Sequence, residues 1–158
     1  MLFIDGSVET KTCVGFAAYL VVSDINLPVD ILKKTIIINR FENTSSTTLE
    51  LQNLLCAMAS VECTRADTQF IIYTDSQNII GLIERRDRLE QADYYSAKKV
   101  RLRHYQLYQD FYTLFDSFNI TFIKVSGHKA RDKKDDIDRI FALVDRAARA
   151  ALRNYRLG

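Results

Sequence analysis

The chain has 158 residues, 47% hydrophobic and 27% charged, with a net charge of +2. Ordinary globular composition at this length reads as one domain, 1–158, with a hydrophobic core of its own. No apolar run approaches a membrane span and no basic stretch precedes an apolar signal core, which sets the expectation of a soluble, cytoplasmic protein with no membrane partner; a monomer is expected.

Three cysteines, Cys13, Cys56 and Cys63, are an odd number without CxxC spacing. They argue against a metal cluster or a disulfide-linked partner and fit a reducing compartment. Cys56, among Leu54, Leu55 and Met58, reads as a small core residue.

In chain order, the apolar run Leu2-Phe3-Ile4 ends at Asp5 and leads into Gly6-Ser7. Val14, Phe16, Ala18, Leu20 and Val22 alternate with the period of a strand. Pro28 marks a turn, and the β-branched stretch from Thr35 to Phe41 makes a third strand. Leu51, Leu54, Leu55 and Met58 keep helical spacing behind Glu50. Residues 69–74 form a fourth strand ending at Asp75, and Ile79, Ile80, Leu82 and Ile83 open another helix. The spacing predicts a helix over 98–118, a fifth strand from Ile120 to Val125, and a closing helix through Ile137, Ile140, Phe141 and Val144. The order βββ-α-β-α-α-β-α predicts an α/β (α+β) fold: a mixed five-stranded sheet, three antiparallel strands first and then two parallel, with helices on both faces.

Asp5, Glu50 and Asp75 each stand at the edge of a different element, and Asp145 lies in the last helix. Converging carboxylates repel unless a cation sits among them, and such sites hydrolyse phosphate esters. Each also has a structural reading. Asp5 can start a turn, Thr47-x-x-Glu50 can be a capping box, Asp75 can cap a helix, and Asp145 can pair with Arg149 four residues on. Asp5 and Asp75, each closing a strand ahead of a small residue, lie side by side if those strands are parallel neighbours. The helix carrying Glu50 can bring its first turn beside them.

The net charge is too small to name a partner, but residues 85–103 hold seven basic against three acidic side chains, with Tyr94 and Tyr95 between the two basic groups. Phosphate backbones favour such a cluster, while a solvated helix face explains it equally well.

The segments LFIDGSV, TTLELQNLLCAM, IIYTDSQNII, FIKVSGHKA and VDRAARAAL, in this order across nearly the whole chain, resemble type 1 ribonuclease H. The resemblance implies that Asp5, Glu50, Asp75 and Asp145 bind two Mg²⁺ ions, with Mn²⁺ an alternative, at about 4 Å separation. It implies that His128 guides water or product at the metals, and that the partner is an RNA–DNA hybrid. Gly6 belongs to the Asp-Gly-Ser segment at the substrate side, and Gln77 matches a position contacting ribose 2′-hydroxyls. Ser46 and Thr47 stand where many bacterial relatives carry two asparagines. Lys98, Lys99 and Arg101 fall in the family's basic protrusion, here without tryptophan. His104, in the basic segment, is structural or contacts phosphate.

The stretch Lys129–Asp136 is longer and more charged than usual, and leaves Asp138 and Asp145, on one helical face, as alternatives for the fourth ligand. The expected activity is metal-dependent hydrolysis of the RNA strand to 5′-phosphate and 3′-hydroxyl ends. Two alternatives stand beside it: a nuclease of the same fold acting on branched or duplex DNA or other RNA, and a non-catalytic hybrid-binding module.

Overall fold

The computed structural model describes residues 1–61, 68–126 and 135–158. A hairpin of β1 (Leu2–Glu9) and β2 (Val14–Val21) is followed by a short helix, α1 (Val29–Lys34), and by β3 (Ile37–Phe41). Then come α2 (Ser46–Ser60), β4 (Gln69–Thr74), α3 (Gln77–Gln91), α4 (Tyr105–Ser117), β5 (Asn119–Lys124) and α5 (Asp136–Leu157). The described strands form one sheet in the order β3-β2-β1-β4-β5. The pairs β1–β2 and β2–β3 are antiparallel, and β1–β4 and β4–β5 parallel. This is the ribonuclease H-like arrangement.

The alternation of β1 divides the core. Leu2 and Ile4 pack with Leu51, Leu54 and Met58 of α2, Ile79 and Leu82 of α3, and Phe111 of α4. Phe3 points to the opposite face and packs with Ala18, Leu20, Ile140, Phe141 and Val144. Each fully buried side chain of this size contributes about 1.5–3 kcal/mol, so burial on both faces holds β1 at the centre of the sheet. Asp5 shares the parity of Phe3 and therefore the face covered by α5.

Several local expectations give way. Asp5 does not end its strand, because β1 pairs with β2 as far as Glu9. What stops near Asp5 is the parallel neighbour: β1–β4 pairing covers Leu2↔Ile72 and Phe3↔Tyr73, and β4 ends at Thr74. Pro28 does more than turn the chain. Its carbonyl accepts from Ile31 and Leu32 at 2.9 and 3.1 Å and starts α1, which buries Leu32.

The helix expected over 98–118 begins only at Tyr105. Residues 94–102 close a tight loop instead, with Ser96 N–H donating to the Val100 carbonyl and Leu102 N–H to the Tyr94 carbonyl, both at 2.8 Å. Those backbone groups are satisfied across the loop, and Lys99 at φ 56° breaks helical geometry. Cys56 is exposed, as is Cys13. Two residues beyond buried Leu54, it is turned to the opposite side of α2. Cys63 lies outside the described residues. No helix among them is long and apolar enough to cross a membrane.

Candidate functional site

The acids meet where β4 ends beside β1, at the junction of the two sheet faces. Asp5 reaches the α5 side, where it hydrogen-bonds Asp145 and feels the charge of Asp75. A hydrogen bond between two carboxyl groups requires a proton on one of them. Burial first and then the charge of Asp75 push the Asp5 carboxyl up to about 8; the Gly6 N–H, which donates to Asp5 Oδ1 at 2.7 Å, pulls it down, and Asp145 adds lesser upward contributions. Arg149 pairs with Asp145 at 2.7 Å, so the helical pair and the approach to Asp5 coexist.

Glu50 comes from the opposite face. Ser76 Oγ donates to Glu50 Oε2 in a short hydrogen bond, and Asp75 lies close enough to raise the Glu50 carboxyl further. Burial is the larger cause of that upward shift, with the Ser76 bond opposing it. Ser76, not Asp75, caps α3, its hydroxyl accepting from Ile79 N–H at 3.2 Å. One hydroxyl thus caps a helix and holds a carboxylate of another.

Helix α2 also starts differently from the expected Thr47–Glu50 box. Ser45 is the N-cap and accepts from Thr48 N–H at 3.3 Å. Glu50 therefore lies beyond the first turn, and Ser46 and Thr47 are exposed on that turn with no capping bond to make.

Two contacts press α2 onto the hairpin. A Cβ on Gly6 would stand 2.9 Å from Leu49 Cδ2, and one on Gly15 2.8 Å from the same atom. The glycines make a slot for Leu49, and the next residue is Glu50. One turn on, buried Asn53 donates through Nδ2 to the carbonyls of Ala18 at 2.8 Å and Asp5 at 3.4 Å. Its Oδ1 has no partner among the described residues, a cost of about 1–3 kcal/mol. Sequence reading missed Asn53, Leu49 and Ser76 as site builders. The one available signal was a polar Asn inside the apolar stripe of α2.

The donor set consists of carboxylate oxygens, which suits a hard divalent cation and not zinc. Asp5, Glu50, Asp75 and Asp145 are the residues that could hold it. Among the described residues, no three acidic, imidazole or thiol side chains are already closed around one point. The acids stand instead in adjoining pairs: Asp5 with Asp75, Asp5 with Asp145, and Glu50 with Asp75. A site that keeps a proton on Asp5 toward pH 8 carries more negative charge than it can ionise unaided, and cations offset that excess.

Asp138, the other candidate for the fourth acid, forms a reciprocal capping box with Asp135. Asp138 N–H donates to Asp135 Oδ1 at 2.8 Å, and Asp135 N–H to Asp138 Oδ2 at 3.2 Å. The pairing with Asp5 belongs to Asp145.

Gln77 is exposed at the start of α3 and accepts from Lys124 Nζ at 2.5 Å. His128, with Gly127 and the stretch 129–134, lies outside the described residues.

The basic segment divides in two. Arg85 folds back onto the Gly81 and Asn78 carbonyls. Arg86 is bound to both oxygens of Asp116 at 2.5 and 2.7 Å and to Glu90 at 2.9 Å. These two hold α3 to itself and to α4. Arg88, Lys98, Lys99, Arg101 and Arg103 are exposed. Arg101 lies 4.0 Å over the Tyr105 ring and 5.6 Å over that of Tyr95. Tyr94 is buried in the core and Tyr95 exposed, so of this pair only Tyr95 can meet a partner. His104 precedes α4 without a side-chain cap.

The RNase H family model matches residues 1–152. No curated protein matches the sequence. Among solved structures, a foamy viral protease–reverse transcriptase in complex with dsDNA aligns with a TM-score of 0.61 and 12% identity, over 93% of this chain and 92% of that one. The foamy viral protease–reverse transcriptase in complex with RNA/DNA hybrid aligns with a TM-score of 0.67 and 10% identity. That match covers 94% of this chain and 19% of the other. At such identities these likenesses establish the fold.

Proposed function

We propose, from the premise that the chain belongs to the RNase H family, that it is an endoribonuclease cutting the RNA strand of RNA–DNA hybrids to leave 5′-phosphate and 3′-hydroxyl ends. The observation that carries this reading is the gathering of Asp5, Asp75 and Asp145, with Asp5 pushed up to about 8 by burial and by its two acidic neighbours. Glu50 approaches from the other face through Ser76 and Asp75. An inert binding module gains nothing from holding repelling carboxylates together, whereas a hydrolytic metal site needs them.

The four acids would hold two Mg²⁺ ions, with Mn²⁺ able to substitute. Bound there, the ions would supply activation of the attacking water and neutralisation of charge at the leaving 3′ oxygen. The chain's own residues do the rest. Ser76 holds Glu50 at the edge of the site, Arg149 orients Asp145, and the Gly6 N–H and the Asn53 amide fix Asp5. His128 would guide water or product and shuttle a proton, a role suited to an imidazole. Gln77, Ser46 and Thr47 face the ribose strand, and Lys98, Lys99 and Arg101 grip the phosphates of the DNA strand. The exposed hydroxyls of Ser46 and Thr47 and the Gln77 amide would favour a ribose strand over duplex or branched DNA.

The test is cleavage of a labelled hybrid beside duplex RNA, duplex DNA and branched DNA, with and without chelator, by wild type and Asp75→Asn. Chelator-sensitive cutting confined to the hybrid and lost in the variant is expected. Normal hybrid binding with no cutting in Mg²⁺ or Mn²⁺ would overturn the proposal.

A further inference from the structure

Lys124 ends β5 and lies in register with Thr74, the residue before Asp75. Its ammonium donates to Gln77 Oε1 at 2.5 Å across 47 positions of sequence. An ammonium has donors and no acceptor, so its partner on a glutamine side chain must be the amide oxygen. That contact fixes which end of the amide faces out: with Oε1 turned to Lys124, the NH₂ group is the end left to meet a ligand. Both residues are exposed at the rim of the carboxylate site.

We infer that Lys124 is a positioning residue for sugar discrimination, setting the Gln77 amide so that it donates to the 2′-oxygen of a ribose. This rests on the hybrid-cleaving function proposed above. A 2′-hydroxyl offers an acceptor to that NH₂ group, and a deoxyribose offers nothing at that place. Were the amide reversed, the same hydroxyl could donate to its oxygen, but the ammonium forbids that orientation while the contact lasts.

The experiment compares kcat and KM on a hybrid with an unmodified RNA strand and on hybrids carrying one 2′-deoxy sugar, moved stepwise past the cleaved bond. The proteins are wild type, Lys124→Met, Lys124→Arg, Gln77→Ala and the Lys124→Met/Gln77→Ala double variant. Wild type should lose activity to a 2′-deoxy sugar at the position Gln77 meets, identified as the one whose effect disappears in Gln77→Ala. Lys124→Met should reduce that discrimination about fivefold, the value of one hydrogen bond, chiefly through KM, and Lys124→Arg should retain most of it. In the Gln77→Ala background the methionine should change nothing further.

If Lys124→Met weakens every hybrid equally in both backgrounds, the lysine is a bare phosphate contact and the inference is overturned. Unchanged discrimination in Lys124→Met overturns it as well. Failure of wild type to cut any hybrid would instead sink the proposed function, and this inference with it, so the two failures are distinguishable.

Discussion

The two charged regions of this protein hold their charge in opposite ways. At the sheet end, Asp5 is crowded by Asp75 and Asp145 in a place where burial already disfavours ionisation. In the segment after α3, Lys98, Lys99, Arg101 and Arg103 lie in the open. There the Tyr95 and Tyr105 rings orient the one arginine that is held in place. Like charges crowded at a half-buried sheet end are expensive and make a site that demands a counter-cation. Exposed charges are screened, cost little and contribute little individually. Chemistry should therefore concentrate at the first region, and adjustable affinity at the second.

The sharpest way to break this contrast is within α5. Asp145→Asn should lower hybrid cleavage by at least about 10³-fold, which is ~4 kcal/mol of transition-state stabilisation. Its melting temperature should hold or rise, because a repulsion on Asp5 is removed. Asp138→Asn should leave kcat within a few-fold and cost about 1 kcal/mol of stability through its weakened capping box. If denaturation and steady-state assays returned the reverse pattern, the fourth acid would have to be reassigned.

Next in size is the slot that brings Glu50 to the sheet. Gly6→Ala places a methyl 2.9 Å from Leu49 Cδ2. It should cost about 1–3 kcal/mol by overpacking, read by urea denaturation, and should lower kcat as α2 shifts. Asn53→Ala should destabilise to a similar extent, because the buried Ala18 carbonyl loses its donor.

A pH effect follows. The folded-state pKa of Asp5 is raised from 3.8 to about 8, so between those values the folded, metal-free protein binds the proton more tightly than the unfolded chain. Stability from this group is present in full below the unfolded value and is lost as pH rises through the folded one. Melting temperature without metal should fall across roughly pH 4 to 8, and Asp5→Asn should flatten that slope. Added Mg²⁺ should restore stability most at the alkaline end, where no proton competes for the carboxylate.

The smallest effect belongs to the basic region. Arg101→Ala should raise KM about three- to tenfold with kcat preserved, and lower the salt dependence of binding by about one phosphate contact. Arg101→Lys should keep the salt slope but lose part of the affinity, since an ammonium does not reproduce the guanidinium stack on Tyr105.

Sequence alone was enough to order the strands and the acids, because both are written in short-range patterns. The alternation in β2, the helical stripe behind Glu50 and the Asp-Gly-Ser and Thr-Asp-Ser segments all survive as elements or neighbours in space. The same local reading misplaced the caps, since Ser45, Thr47, Asp75 and Ser76 are all competent capping residues and packing selects among them. It also ran β1 too short and the fourth helix too long. Strand length was set by an antiparallel partner, and the helix start by hydrogen bonds across the 94–102 loop.

What only the tertiary structure decided are relations between distant residues. Asp145 meets Asp5 because α5 covers the face to which odd-numbered β1 side chains point. Glu50 reaches Ser76 because two glycines admit Leu49. Lys124 finds Gln77 because β5 lies parallel to β4. Periodicity reports which way a side chain faces within its own element, while distances between elements arise from packing and register that no single stretch of chain contains.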